Sequence, residues 1–344
     1  MKHLFYLLFA AAFMACSSND EPKTEEPQLP DVTQPEGTYH TVSLDFVKEL
    51  ADMEVTDEPI TKAEAGTEDL YVINVFSKPA SGGNYSQYAY GMFNKKEGMT
   101  VNLLDGNLYQ FQVTLVKNYR GVLAKATDST TYWGWSSFSK IDNKINIGSW
   151  EYSYYDASRS DLHVPERNSY SSYSRPILDR YYGELSDYEP IENGKIAIDL
   201  YRVVFGARVE VTGLTEGSLT FSMDYAPTIT IRADSVYVPD NMYQLSNVSD
   251  VVTFVAQGKE QTEGMTVNVN WTNADGSRTI KIYSGTVTVT RLKRTIFKIT
   301  LKEGVVTKGD VGFTIEEAAL TDGTVQEIEG TISGGQDTEI TPGS

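Results

Sequence analysis

The residues able to carry chemistry are few. Three His and one Cys are spread over 344 residues, which is little donor material for a soft metal site or for thiol chemistry. His40 and His163 stand in no spacing that builds a metal cluster or a triad, and no Gly-x-Ser-x-Gly elbow is present. Triads form in space and carboxylates are plentiful, so Ser-His-Asp and paired-carboxylate chemistry stay open in principle. The base rate for any given pair is very low. No Gly-rich phosphate loop links a strand to a helix. Asn273-Ala274-Asp275-Gly276 carries half of a calcium-loop pattern, but it lacks the downstream Glu and lies between two strand-like runs. A hairpin turn is the simpler reading. No catalytic residue, metal ligand or cofactor site is expected, and the chain reads as a non-enzyme.

The one cysteine has a different chemistry to offer. Leu4 to Ala15 is an unbroken apolar run behind Met1-Lys2-His3. It is shorter than the roughly 20 residues that span a bilayer and fits a secretory signal over residues 1–15. Cys16 sits where that run meets Ser17-Ser18-Asn19-Asp20-Glu21-Pro22. A buried structural thiol is the bland alternative, but a cysteine between a signal and a polar tail has no core to join. Phe13-Met14-Ala15-Cys16 resembles a bacterial lipobox, in which the cysteine is acylated and becomes the first residue. Lipid adds about 0.8 kcal/mol per buried CH2, and more than one chain gives stable anchoring. Asp20-Glu21 resembles the signal that exports such lipoproteins to the outer face. No later stretch is apolar enough to span a membrane, so Cys16 is the expected anchor and the outer-membrane surface the expected location. With that thiol modified, Cys/His catalysis is excluded and an internal disulfide has no second partner.

Charge narrows the partners. Lys and Arg number 29 against 47 Asp and Glu, a net charge of -18. Such acidity disfavours a phosphate backbone, which needs clustered cations, and disfavours general adhesion to anionic lipid. Residues 16–38 are rich in Glu, Pro, Thr and Gln with almost no apolar residue, the composition of a flexible tether.

Beyond the tether the pattern is that of strands. Val42, Leu44 and Phe46 alternate with polar neighbours, and Leu70 to Phe76 is apolar on both faces. Met99 to Leu104 and Leu108 to Val116 flank Asp105-Gly106 as a hairpin, and Gly121 to Ala124 is a shorter candidate. Ile196 to Leu200, Val203 to Val211, Leu219 to Met223, Thr228 to Ile231, Val251 to Val255, Thr266 to Trp271, Thr279 to Tyr283, Val287 to Val289, Ile296 to Leu301 and Val311 to Ile315 continue the series. Short strands separated by turns, with almost no helical period, predict an all-β protein of sandwiches. The expected division is an N-terminal sandwich over 39–188 and a C-terminal sandwich over 189–344.

Tyr132 to Tyr188 departs from this pattern. It is crowded with Tyr and Trp among Ser, Asp, Asn and Arg, and reads as long connections. Trp133, Trp135 and Trp150 are the candidate aromatic binding patch, because aromatic faces stack on sugars and anchor interfaces. The competing reading is that these rings pack a domain junction or cover sheet edges, because Tyr is also a common strand residue. Arg175-Pro176 and Arg180-Tyr181-Tyr182-Gly183 fit buried ion pairs and ring contacts between domains equally well.

Three stretches resemble the fimbrillin superfamily of Bacteroidetes surface lipoproteins. They are the lipobox with its acidic tether, Glu68 to Phe76 with Tyr88-Ala89-Tyr90-Gly91-Met92-Phe93, and Ile198 to Val211. The resemblance implies two transthyretin-like, Greek-key sandwiches in tandem and a pilus stalk, tip or anchor role. It also implies assembly by donor-strand exchange after a trypsin-like protease removes N-terminal strands. Here the cleavage point would be Lys62, followed by Ala63, behind the Val42-Leu44-Phe46 strand, with Thr324 to Ile332 as candidate donor. Expected partners are other fimbrial subunits or further copies of the chain, a ligand on a host or microbial surface, and the membrane through lipid alone. Nucleic acid is not expected. The alternative function is a surface glycan-binding lipoprotein of a nutrient-capture system.

Overall fold

Alternating apolar and polar residues give this chain strands almost throughout, and the computed structural model describes them over residues 35–48, 69–95, 98–117, 123–125, 131–133, 141–149, 164–165, 172–173, 175, 177–235, 238–301, 311–319 and 325–328. First come β1 (Tyr39–Lys48), β2 (Leu70–Pro79), β3 (Ser86–Phe93), β4 (Thr100–Leu104) and β5 (Asn107–Lys117). The short β6 (Leu123–Lys125), β7 (Thr131–Trp133), β8 (Ile145–Ile147), β9 (Val164–Pro165) and β10 (Ser172–Tyr173) follow. Then come β11 (Asp179–Tyr188), β12 (Lys195–Arg202), β13 (Val204–Thr212), β14 (Ser218–Met223), β15 (Ile229–Arg232) and β16 (Asp240–Gln244). Helix α1 (Asp250–Ala256) precedes β17 (Thr262–Thr272), β18 (Thr279–Thr290), β19 (Lys293–Leu301), β20 (Val311–Ala319) and β21 (Val325–Ile328). The protein is all-β, as its alternation requires.

Among the described residues the two largest hydrophobic cores form inside one unit, Glu36–Ser344, with smaller clusters around Leu70 and Val116 and around Tyr182 and Val251. The first belongs to an eight-stranded sheet, β4-β1-β12-β11-β5-β2-β3-β8. Its inward residues include Val42 and Phe46 on β1, Tyr71 and Ile73 on β2, Phe111 and Val113 on β5, and Ile196 and Ile198 on β12. These positions meet because the sheet folds over itself. The Tyr88 hydroxyl on β3 donates to the Asn102 carbonyl on β4 at 2.7 Å, although the two strands lie near opposite ends of the sheet. The crease is between β11 and β12, which pair only at Tyr181–Arg202 and Tyr182–Tyr201. Gly183 stands next to that pairing, and a Cβ there would sit 2.1 Å from the Asp199 carbonyl oxygen. Only glycine lets the two strands approach so closely.

The second core lies between a five-stranded sheet, β16-β13-β19-β20-β21, and a four-stranded sheet, β15-β14-β17-β18. Phe205, Val209, Phe297 and Ile299 meet Leu219, Phe221, Val267 and Trp271 across it. The Phe221 and Phe297 rings are 4.7 Å apart. Each core contains one parallel pair, β1 with β12 and β13 with β19; the other ladders are antiparallel hairpins and crossovers.

Three expectations from the sequence are corrected. Val251 to Val255 is a helix, not a strand. Its β-branched residues favour strands, but Val251 packs with Val203, Val248 and Tyr182, and Val252 and Val255 join them. That short apolar seat suits one helical turn pair, with positions i and i+4 on one side. Gly258, at φ 61°, ends the helix, and its N–H donates to the Val255 carbonyl at 2.9 Å. Tyr132 to Tyr188 is not all connection, because Asp179–Tyr188 forms a ten-residue strand in the interior of the first sheet. Its Tyr, Arg and Glu conceal an alternation that is completed by neighbours rather than by aliphatic side chains. Lys195–Arg202 pairs with β1 and β11, so it belongs to the first sheet and not to a unit beginning at 189. The chain passes between the cores at Arg202-Val203-Val204, where the alternation of β12 gives way to five consecutive buried residues, 203–207.

Candidate functional site

The first element of the fold is a single strand inserted between two others. β1 runs parallel to β12, with Ser43 opposite Lys195 and Phe46 opposite Ile198. It runs antiparallel to β4, with Val42 opposite Val101. Its backbone is engaged beyond the ladders as well. The Ser43 N–H donates to Gly194 O at 3.0 Å and the Leu44 N–H to Met99 O at 2.9 Å. Val42, Leu44 and Phe46 are buried while Thr41 and Asp45 face solvent, as the alternation predicts. Each buried side chain of this size is worth about 1.5–3 kcal/mol. β1 therefore completes the first core with three side chains and joins β4 to the sheet; without it β12 would become an edge strand.

The second feature is a set of buried arginines where the two cores adjoin. Arg180 on β11 is fully buried. Its Nη2 donates to Thr114 Oγ1 on β5 at 2.8 Å and its Nη1 to Gln244 Oε1 on β16 at 3.1 Å. Arg202 grips Asp179 with Nε and Nη2 at 2.8 and 3.1 Å. The carbonyl of Arg202 accepts from Arg291 Nη1 at 2.9 Å. Arg175 is 3% exposed and pairs with Glu263 on β17. Its Nη2 also reaches Ser246 Oγ at 2.6 Å. Burial holds the Arg175 guanidinium below its ordinary pKa, and nearby Asp224 opposes that shift. A buried charge of this kind is costly unless its donors are matched, and it contributes orientation more than stability. The junction is thus fastened by directional bonds: Arg180 of the first sheet to Gln244 on β16, Arg291 to the carbonyl of Arg202 on β12, and Arg175, in the segment before β11, to Glu263 on β17. Arg175 and Arg180 were legible as junction candidates; Thr114, Gln244, Glu263 and Arg291 were not, because no local pattern marks a neutral or acidic residue that will meet a distant arginine.

The remaining candidates from the sequence fare as follows. Cys16, Lys62, Trp135 and Trp150 lie outside the described residues, as does His163. Trp133 ends β7, where it pairs with Leu123; its side chain is outside the description. The aromatic patch of Trp133, Trp135 and Trp150 thus lies outside the described side chains. His40 pairs with Leu103 between β1 and β4. Among the described residues no three His, Cys, Asp or Glu converge to hold a metal. In the Asn273 hairpin the polar atoms serve the turn. The Ser277 N–H donates to Asp275 Oδ1 at 2.9 Å and the Arg278 N–H to Asn273 Oδ1 at 2.9 Å, and the Ser277 bonds hold the Asp275 carboxyl below its usual range. At the C-terminal end, β21 pairs with β20 from Ile315–Ile328 to Ala318–Val325, so part of the candidate donor is a home strand here.

A folded-over sheet, a two-sheet sandwich and an inserted N-terminal strand define an all-β sandwich protein. No protein-family model matches the sequence, and neither does any curated protein. Among solved structures the chain is similar to the fimbrial anchor protein Mfa2 from Porphyromonas gingivalis, at TM-score 0.35 and 9% identity over 84% of this chain and 99% of that one. It is also similar to the tip fimbrial protein Mfa3 from the same organism, at TM-score 0.29 and 8% identity over 73% and 94%. A third is a Bacteroides thetaiotaomicron structure provisionally described as polysaccharide-binding, at TM-score 0.35 and 13% identity over 84% and 98%.

Proposed function

We propose that the protein is a cell-surface lipoprotein of fimbrial or adhesin type, held at the outer membrane by lipid on Cys16 and assembled with other subunits by strand replacement. The observation that carries this reading is the placement of β1. It precedes every other described strand in the sequence, yet it sits between β4 and β12 and supplies Val42, Leu44 and Phe46 to the first core. Cleavage behind it, at Lys62, would free it for removal. The vacated groove would have an apolar floor and unpaired backbone on both walls, a costly surface that an extended segment from another chain can cover. The segment around β21 is the donor in this reading, and it must first leave β20.

Limited trypsin treatment tests the reading. The wild-type chain should lose its N-terminal strand and form ladders on a gel, while Lys62→Ala stays full length and forms no ladder. Trimming at Lys62 with no oligomer would sink strand replacement. The anchor is tested separately: Cys16→Ala should release the protein from membranes, and retention after a high-salt wash would count against the lipid.

A further inference from the structure

Among the described residues the three large sheets have six terminal strands. Five are short: β4 and β16 have five residues each, β15 and β21 four each, and β8 three. Short edges are the usual protection against pairing with another chain. β18 is the exception, with twelve residues at the end of the four-stranded sheet. The irregularity in its ladder is one extra residue on β18, Ile282, between the pairs Lys281–Asn270 and Tyr283–Val269. Beyond it Tyr283 to Thr290 pair in regular register and carry no charge and no proline, so this stretch lacks the other usual guards.

The direction of the backbone groups follows from one bond. The Arg291 N–H donates to Gln261 O at 2.9 Å, and the ladder continues through Val289–Glu263, Val287–Met265, Gly285–Val267 and Tyr283–Val269. Antiparallel pairs alternate between bonded and non-bonded. The backbone of Tyr283, Gly285, Val287 and Val289 therefore turns to β17, and that of Ser284, Thr286 and Thr288 turns to the free edge. The side chains of Ser284, Thr286 and Thr288 are exposed, and those of Tyr283, Val287 and Val289 are buried in the second core.

We propose that this edge is a self-association site, at which β18 pairs antiparallel with β18 of a second copy about a two-fold axis at Thr286. The occupant follows from symmetry and charge. With Thr286 opposite itself, Ser284 meets Thr288 of the second copy and Thr288 meets its Ser284, so every edge-facing residue bonds another edge-facing residue. Such an isologous contact closes after two copies. The facing side chains are hydroxyls, a favourable cross-strand pairing. A molecule of net charge -18 opposes its own approach, but this stretch of edge presents no carboxylate. The β17 partners of Ser284, Thr286 and Thr288, which are Asn268, Thr266 and Gly264, are uncharged as well. The site is independent of β1 and of strand replacement, and neither the loss of β1 nor a donor strand is needed for it.

Sedimentation velocity of the full mature chain with Cys16→Ser tests the proposal. The chain should shift from monomer to dimer as its concentration rises. Thr286→Lys and Thr286→Glu each place like charges about 5 Å apart across the axis and should raise the dimer dissociation constant about tenfold or more. An equimolar mixture of the two variants should restore association, which a folding defect would not allow. A chain that stays monomeric at every concentration, single variants that associate like the parent, or a mixture that fails to recover would each overturn the proposal. So would protection of the 284–288 amides that appears only when an unrelated extended peptide is added.

Discussion

The rings of Phe46 and Tyr71 stack with centroids 5.2 Å apart and planes 19° apart, although β1 and β2 are separated by three strands in the sheet order. The contact exists because the sheet folds at Gly183, and it fastens the N-terminal strand to the opposite wall of the core. Phe46→Ala should cost about 3–5 kcal/mol, the range for a buried Phe truncation. Urea midpoints at constant slope measure this. A loss below about 1 kcal/mol would show that β1 does not pack as described.

Arg180 ties β5, β11 and β16 together. Arg180→Ala leaves Gln244 and Thr114 without that donor and should destabilise by about 3–5 kcal/mol, as when one partner of a buried charged contact is removed. Because these bonds join the two cores, unfolding should also split. In a background with Trp133, Trp135 and Trp150 replaced by Phe, Trp271 fluorescence reports the second core, and its transition should separate from hydrogen exchange of the first-sheet amides along a urea titration of the variant and coincide with it for the parent. Coincident transitions in the variant would refute the coupling role.

Gly183→Ala is expected to be more damaging than any exposed substitution. The added methyl would meet the Asp199 carbonyl oxygen at 2.1 Å, and both atoms lie on paired backbone that has no flexible end to move. A folded, soluble variant with an unchanged melting temperature would show that the crease opens without cost.

Alkaline pH should unfold the protein. Tyr71, Tyr88 and Tyr109 are raised above 10.0, chiefly by burial, and for Tyr71 also by Asp69. A raised folded pKa means the proton is held more tightly in the folded state. The stability this reflects is complete below pH 10 and falls as pH rises through the folded values. Absorbance at 295 nm should show a late tyrosine fraction ionising together with loss of far-ultraviolet circular dichroism. Tyr71→Phe should move that transition to higher pH. Uniform ionisation near pH 10 with the fold intact would contradict the burial of these rings.

Where burial alternates, the strands are legible from residues alone. Val42-Leu44-Phe46, Leu219-Phe221-Met223 and Met265-Val267-Val269-Trp271 show their inward faces plainly, and the structure buries those residues. Asp179–Tyr188 was hidden because Arg180 occupies an inward position, and an arginine there reads as polar until Thr114 and Gln244 are brought to it. Val251-Val252-Thr253-Phe254-Val255 has the composition of a strand, and only its seat against Val203 and Tyr182 selects a helix.

Local order in this chain is therefore a property of residue type and period. Alternation decides that it is β, and Asp105-Gly106 and Asn273 to Ser277 decide two of its turns. The tertiary structure decides what depends on residues distant in sequence. It places β1 beside Lys195–Arg202, some 150 residues away in the chain. It creases a sheet at Gly183, matches Arg175 to Glu263, and leaves β18 at the end of its sheet. The reason is that a strand's inward face is written in its own side chains, whereas its neighbour is selected by backbone hydrogen bonds that are nearly the same for every sequence. Shape, closure and the few directional polar contacts then choose among the possible pairings, and those exist only once the chain is folded.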